Sequence, residues 1–212
     1  AFLPSLSQKE TYGRISGYGF AMGYVGSLVS LLIAIPLYAG GFAQENLFNV
    51  RLSFLLAAVM FFAFSLPLFF FLKDVPPLAH RTGSYFKAVY QRVINTLSHL
   101  RSYKQVAKFL LAFFIYNDGI LTVISFASIF AQDSLKFSMK EMLLLFALVQ
   151  ASAIVGSLIF GSLTDRIGPK LTITISLIAW IIVVVAAYFV QSKEIFYVIG
   201  VIAGASMGGS QS

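Results

Sequence analysis

The sequence predicts an all-α, polytopic membrane helix bundle, and three observations carry that prediction. Six charge-poor apolar runs recur along the 212 residues, each close to the roughly 20 residues an α-helix needs to cross about 30 Å of hydrocarbon. Hydrophobic residues make up 58% of the chain and charged residues 11%, which leaves too little polar surface to solvate a globule of this size. The runs are also apolar on consecutive positions, as in Ile181-Ile182-Val183-Val184-Val185 and Phe69-Phe70-Phe71, whereas the strands of a closed β-barrel alternate in polarity.

The first run, 16–38, follows the polar segment 5–10 and carries Gly19, Gly23 and Ser27 at every fourth position. Small residues at that interval let helix backbones approach closely, which matters in lipid, where apolar burial gives little net attraction between helices. The second run, 52–72, stops at Lys73-Asp74-Val75-Pro76-Pro77, whose prolines cannot continue a helix. In the linker 73–108, Phe86, Val89, Tyr90, Val93, Ile94, Leu97 and Leu100 recur at spacings of three and four, with Lys87, Arg92 and Arg101 between them. That pattern predicts an amphipathic helix lying on the membrane surface. A calmodulin-type target helix has the same pattern, but the flanking spans favour a lipid-facing linker. His80 and His99 lie in it without metal-ligand spacing.

The remaining runs are 109–131, 142–163, 171–190 and 195–212, joined by short connections at 132–141, 164–170 and 191–194. Ala153, Ser157 and Gly161 form a small-residue row on the fourth, and Gly200, Gly204 and Gly208 form one on the sixth. The linker thus divides the chain into 1–72 with two spans, 73–108, and 109–212 with four spans. The scrap Ala1-Phe2-Leu3-Pro4 reads as the end of a further helix, and Gly208-Gly209-Ser210-Gln211-Ser212 stops within a span. The sequence therefore reads as an internal segment of a longer protein, whose remaining chain is needed for function.

Eleven of the fifteen Lys and Arg fall on the face that holds the linker and the 164–170 turn, against Arg51, Lys136, Lys140 and Lys193 on the other. Positive charge is retained in cytoplasmic loops, so the first face is cytoplasmic. The net charge of +7 then lies beside anionic lipid headgroups, and no nucleic-acid partner is implied. With no cysteine there is no disulfide framework and no thiolate metal site, and no cofactor is expected. Gly17-Tyr18-Gly19 with Gly23 has the look of a dinucleotide fingerprint, but it is embedded in an apolar span rather than placed between a strand and a soluble helix.

Asp118 is the one Asp, Glu, Lys or Arg inside any of the six runs. An ionisable group at bilayer depth is expensive and persists where it lines a cavity, finds a partner or handles ions. Thr122 and Ser125 follow it at i+4 and i+7 on the same helix face, with Tyr116 and Asn117 beside them. As its access to water changes, such a carboxylate can take up and release a proton, which makes the stripe a candidate solute or ion pathway. Gln150 and Gln211 are further uncharged polar groups that could face the same cavity. The structural alternative is that Asn117 and Asp118 only fix helix register.

Between the fourth and fifth runs stands Gly161-Ser162-Leu163-Thr164-Asp165-Arg166-Ile167-Gly168-Pro169-Lys170. Gly168 permits a tight turn and Pro169 suits the first turn of a helix. Asp165, Arg166 and Lys170 can form charged contacts that differ between two packing states. The segment resembles the cytoplasmic loop signature of the major facilitator superfamily, Gly-x-x-x-Asp-Arg-x-Gly-x-Lys/Arg. Phe113-Phe114-Ile115-Tyr116-Asn117-Asp118-Gly119, Ala1-Phe2-Leu3-Pro4 with the downstream Arg14-Ile15-Ser16-Gly17, and Gly208-Gly209-Ser210-Gln211 resemble its vacuole effluxer-like branch.

That resemblance implies a partial major facilitator fold with six transmembrane helices, the fifth to tenth of twelve, the linker lying between two six-helix halves. It implies a secondary active transporter that moves a small, amino-acid-like solute, with protons, by alternating access. Gly161, Asp165, Arg166, Gly168 and Lys170 would form its cytoplasmic gate. The membrane would be the bacterial cytoplasmic membrane, or the vacuolar one in a eukaryote. Two other functions stand beside this reading. A membrane scaffold or sensor would use the linker as its partner surface, and an intramembrane enzyme would need more than the one carboxylate that the spans offer.

Overall fold

The computed structural model describes residues 8–38, 40–41, 43–71, 89–91, 94 and 104–211. Among them are six long α-helices: α1 (Tyr12–Ala34), α2 (Leu47–Phe71), α3 (Lys104–Asp133), α4 (Met139–Ile167), α5 (Pro169–Phe189) and α6 (Lys193–Gln211). Short 3-10 turns at Ile35–Tyr38 and Gln44–Asn46 extend the facing ends of α1 and α2. Five of these rods are long and apolar enough to cross a bilayer. The sixth, α6, is 19 residues long and falls below them because Lys193, Glu194 and Gln211 at its ends, with glycines and serines between, lower its apolar content. The six expected spans thus stand at five by length and apolarity among the described residues. The amphipathic linker helix falls almost wholly outside those residues, as do His80, His99 and Ala1–Pro4; Val89–Gln91 and Ile94 are helical.

Several helices outrun their apolar stretches by a turn, since charge stops membrane burial but does not stop helix formation. Arg51 lies inside α2, and α4 continues through Asp165 and Arg166. The expected 164–170 loop is accordingly a single residue. Gly168 has φ +86°, a left-handed value that a glycine adopts without steric cost. Its N–H donates to the Thr164 carbonyl at 3.0 Å, and Pro169 starts α5 directly. α4 opens on a capping box: the Ser138 N–H donates to Glu141 Oε2 at 2.7 Å, and the Glu141 N–H donates to Ser138 Oγ at 3.4 Å.

The described chain forms two compact units, Ala1–Ala63 with Ser125–Ser212, and Phe64–Ile124. In the first, α4 is the central helix, with α1 and α6 packed along it and α5 packed chiefly on α6. Glycine sets these contacts. A Cβ at Gly17 would lie 2.5 Å from the Ser157 carbonyl oxygen, and one at Gly13 2.6 Å from the Gly161 oxygen. On α6, Gly204 and Gly208 sit against the α4 backbone at Val149 and Ala153, and Gly200 against Leu145. The predicted rows on α4 and α6 are therefore the contact rows. The row predicted on α1 is not: Gly19, Gly23 and Ser27 are exposed, and the buried face is Gly13, Gly17, Ala21 and Tyr24. Two small-residue rows interleave on that helix, and only the partner decides which is used.

At the opposite end of α4 from Gly13, Lys193 at the start of α6 donates to both Glu141 carboxylate oxygens at 2.8 Å. Lys193 Nζ also lies 5.3 Å from the centre of the Phe137 ring, which stacks edge-on against Phe196. Both charged side chains are about one-third exposed, so solvent screens the pair and keeps it weak. Ser157, Thr172, Ser176 and Ser206 are buried hydroxyls. Ser176 Oγ donates across to the Ser206 carbonyl at 2.8 Å and ties α5 to α6. The α1–α2 turn is held by Asn46, whose amide donates to the carbonyls of Leu37 and Gly41 at 3.0 and 2.8 Å.

In detergent, Gly17→Ala is expected to lower the thermal midpoint, at a cost of about 1–3 kcal/mol for overpacking the α1–α4 contact. Gly23→Ala, on the open face, should leave it unchanged or raise it slightly, as helix propensity directs. Equal effects of the two would show that α1 is not held through its Gly13–Gly17 face.

Candidate functional site

α1 begins without a cap of its own. Thr11 at its N-cap makes no capping hydrogen bond with its side chain, and the first turn carries no acidic residue. The first N–H groups of a helix have no partner within it, and the helix dipole makes that end electropositive. The missing acceptor comes from another helix. Asp165, in the last turn of α4, accepts the Gly13 N–H on Oδ1 at 2.7 Å and the Arg14 N–H on Oδ2 at 3.0 Å.

The Asp165 side chain is 7% exposed; its bond to Gly13 is partly buried, and its bond to Arg14 lies at the surface. Hydrogen bonds to a charged acceptor contribute about 1.5–3 kcal/mol each. Arg14 Nε also stands 4.0 Å from Oδ2, but that side chain is half exposed and adds little. Asp165 can approach because Gly13 has no side chain: a Cβ there would fall 2.7 Å from Thr164 Cβ and 2.8 Å from Asp165 Oδ1.

Of the residues predicted for a cytoplasmic gate, Gly161 and Asp165 meet α1, and Gly168 makes the turn that ends α4. Arg166 and Lys170 are exposed and make no ion pair among the described residues. Of the three residues expected to form charged contacts, Asp165 instead caps a distant helix end, and backbone N–H groups leave no mark in a sequence. Gly13, Arg14 and Gly17 lie outside the predicted site. Their signal is a helix start with no acid in its first turn, opening on Gly-x-x-x-Gly.

The polar stripe of α3 keeps its shared face. Asp118, Thr122 and Ser125 are exposed, while Tyr116 and Asn117 are half-buried. Tyr116 meets Phe113 edge-on, with ring centres 5.3 Å apart. Tyr116, Asn117, Asp118 and Thr122 belong to the Phe64–Ile124 unit, whereas Ser125, Gln150 and Gln211 belong to the other. Within the latter, Gln211 accepts a hydrogen bond on Oε1 from Tyr24 Oη of α1 at 2.8 Å. No hydrogen bond among the described residues joins Gln150 to Gln211, and no cluster of three or more His, Cys, Asp or Glu able to hold a metal occurs among them.

These features can be set beside known proteins. Residues 5–212 match the family model described as vacuole effluxer Atg22 like. The chain belongs to that family. It is 26% identical over 222 residues to the uncharacterized MFS-type transporter YxiO of Bacillus subtilis, covering 100% of this chain and 50% of that protein. Autophagy-related protein 22 of Kluyveromyces lactis is 26% identical over 92% of the chain and 43% of its own length, and that of Yarrowia lipolytica 30% identical over 73% and 29%. The chain spans about half the length, or less, of these relatives. No solved structure matches it. Family membership and the five membrane-length helices identify a multi-pass membrane protein; the Bacillus subtilis relative is named a transporter and the family model an effluxer.

Asp165→Ala should raise hydrogen exchange at the Gly13 and Arg14 amides by about tenfold or more, as the loss of two charge-assisted bonds requires. Arg14→Ala, which keeps both backbone donors, should change it by less than about threefold. The reverse order would mean that the ion pair, not the cap, joins the two helix ends.

Proposed function

We propose that the chain is part of a secondary active transporter that moves a small, amino-acid-like solute by alternating access. In this reading residues 1–72 belong to an N-terminal six-helix half, 73–108 form the cytoplasmic central linker, and 109–212 open the C-terminal half. The observation that carries the reading is the capping of α1 by Asp165. It joins a helix from each side of the linker at the end where Lys and Arg concentrate, through a contact that can open as a unit. While Asp165 holds the α1 N-terminus, the cytoplasmic side is shut. When the halves rock apart, water takes over the Gly13 and Arg14 N–H groups and the carboxylate. Both end states are therefore solvated or bonded, as a two-state element requires.

Asp118 serves the central pathway in this mechanism, with Tyr116, Asn117, Thr122 and Ser125 on the same helix and Gln150 and Gln211 on others. A carboxylate at bilayer depth that meets water in one state and is shielded in the other can couple proton movement to solute movement. The effluxer family to which the chain belongs supports solute export, and the amino-acid-like solute is the class proposed for it.

The test is flux in proteoliposomes carrying the full-length parent protein, challenged with labelled amino acids. A transporter moves the label unchanged, an enzyme alters it, and a scaffold does neither. At equal protein level, Asp118→Asn should cut gradient-driven uptake by about tenfold or more and remove its pH dependence. Undiminished uptake with an unchanged pH profile would exclude Asp118 from the pathway.

A further inference from the structure

The buried face of α1 consists of Gly13, Gly17, Ala21 and Tyr24, so Tyr24 is its one large polar side chain. It lies eleven residues beyond Gly13, about 16 Å along the axis. Its ring is 6% exposed, and its hydroxyl reaches beyond α4 to Gln211 of α6 at 2.8 Å. The Gly-Gly pair before Gln211 explains how. A Cβ on Gly209 would meet the Phe160 ring at 2.6 Å, and Gly208 sits against the α4 backbone at Ala153 and Ser157.

α4 also receives Gly17 of α1 at that same Ser157. Two glycine contacts on one stretch of α4 thereby bring α1 and α6 close enough for one hydrogen bond to close the triangle. From this geometry we infer that Tyr24 and Gln211 form an inner latch, a second closure above the Asp165 cap, which opens and shuts with it. Tyr24 and Gln211 are positioning residues here, and the inference rests on the transporter reading given above.

The chemistry suits a contact that must release on every cycle. With α1 seated, neither group exchanges its partner for water without moving a helix. With α1 withdrawn, both are hydrated. A neutral hydrogen bond then biases the equilibrium modestly, about fivefold, without the desolvation cost that a shielded ion pair would meet on every closure. The Asp165 cap holds the end of the helix, and the latch reports whether the helix is seated along its length.

The test uses the full-length parent in a cysteine-free background, with Ser157→Cys as a near-isosteric reporter. Ser157 is fully buried between Gly17 and Gly208, so alkylation by a membrane-impermeant maleimide at the cytoplasmic face of inside-out vesicles measures withdrawal of α1. Tyr24→Phe should raise the alkylation rate about fivefold. Gln211→Leu, and the milder Gln211→Asn, whose amide is one methylene too short, should match it. Tyr24→Phe combined with Gln211→Leu should give no more than either alone, because both remove the same bond. Unchanged rates in the single variants would overturn the latch, and so would effects that multiply in the double variant. Solute flux by the same vesicles separates the two ideas. Coupled alkylation without flux of any solute upholds the latch as a closure and sinks the transporter reading, whereas flux with insensitive alkylation sinks the latch alone.

Discussion

The arrangement depends on the absence of side chains along one stretch of α4. Gly161 and Ser157 admit α1, while Gly156 and Ala153 admit α6. In a hydrocarbon solvent, helices gain little by burying apolar surface against each other, so close backbone contact and shared polar bonds must supply the attraction. Three polar links in this unit lie beside such contacts: the Asp165 cap beside Gly13, the Tyr24 bond beside Gly208 and Gly209, and the Ser176 bond to α6 at Ser206 beside Gly204. With a larger residue at Gly13 or Gly161, the carboxylate of Asp165 would have no helix end within reach.

The electrostatics follow a graded order. The cap at Asp165 contributes most, because a buried carboxylate meeting two uncompensated N–H groups solves two desolvation problems at once. The Glu141–Lys193 pair at the far end of α4 is wetter and weaker, and it links two helices on the same side of the linker. Strong closure thus falls between elements proposed to separate, and mild reinforcement falls between elements that travel together.

Much of this is legible in the sequence because membrane burial is written into composition. The positions of the rods, the turn at Gly168 and the contact rows on α4 and α6 can all be read from residue type and spacing. What cannot be read is partner choice. Gly13–Gly17 and Gly19–Gly23 have the same spacing on α1, and nothing local distinguishes the face that meets α4. Asp165 points to its charged neighbours Arg166 and Lys170 in the sequence, yet its oxygens are taken by backbone N–H groups some 150 residues away. Tyr24 gives no signal, because one tyrosine in an apolar run is ordinary until its hydroxyl is seen to cross to another helix. Helix ends shift by a turn wherever charge is equated with loop.

The one-residue connection at Gly168 has a mechanical consequence. A single residue spans at most about 3.6 Å, less than the roughly 5.4 Å step by which one helix ratchets a turn past another. Without unwinding a turn, α4 cannot slip lengthwise against α5, and the two advance and tilt as one stiff wedge. Whatever displaces the Asp165 end of α4 must therefore also carry the exposed isoleucines and valines of α5 with it, and where that face meets lipid, the viscosity and thickness of the bilayer become part of the resistance to that movement.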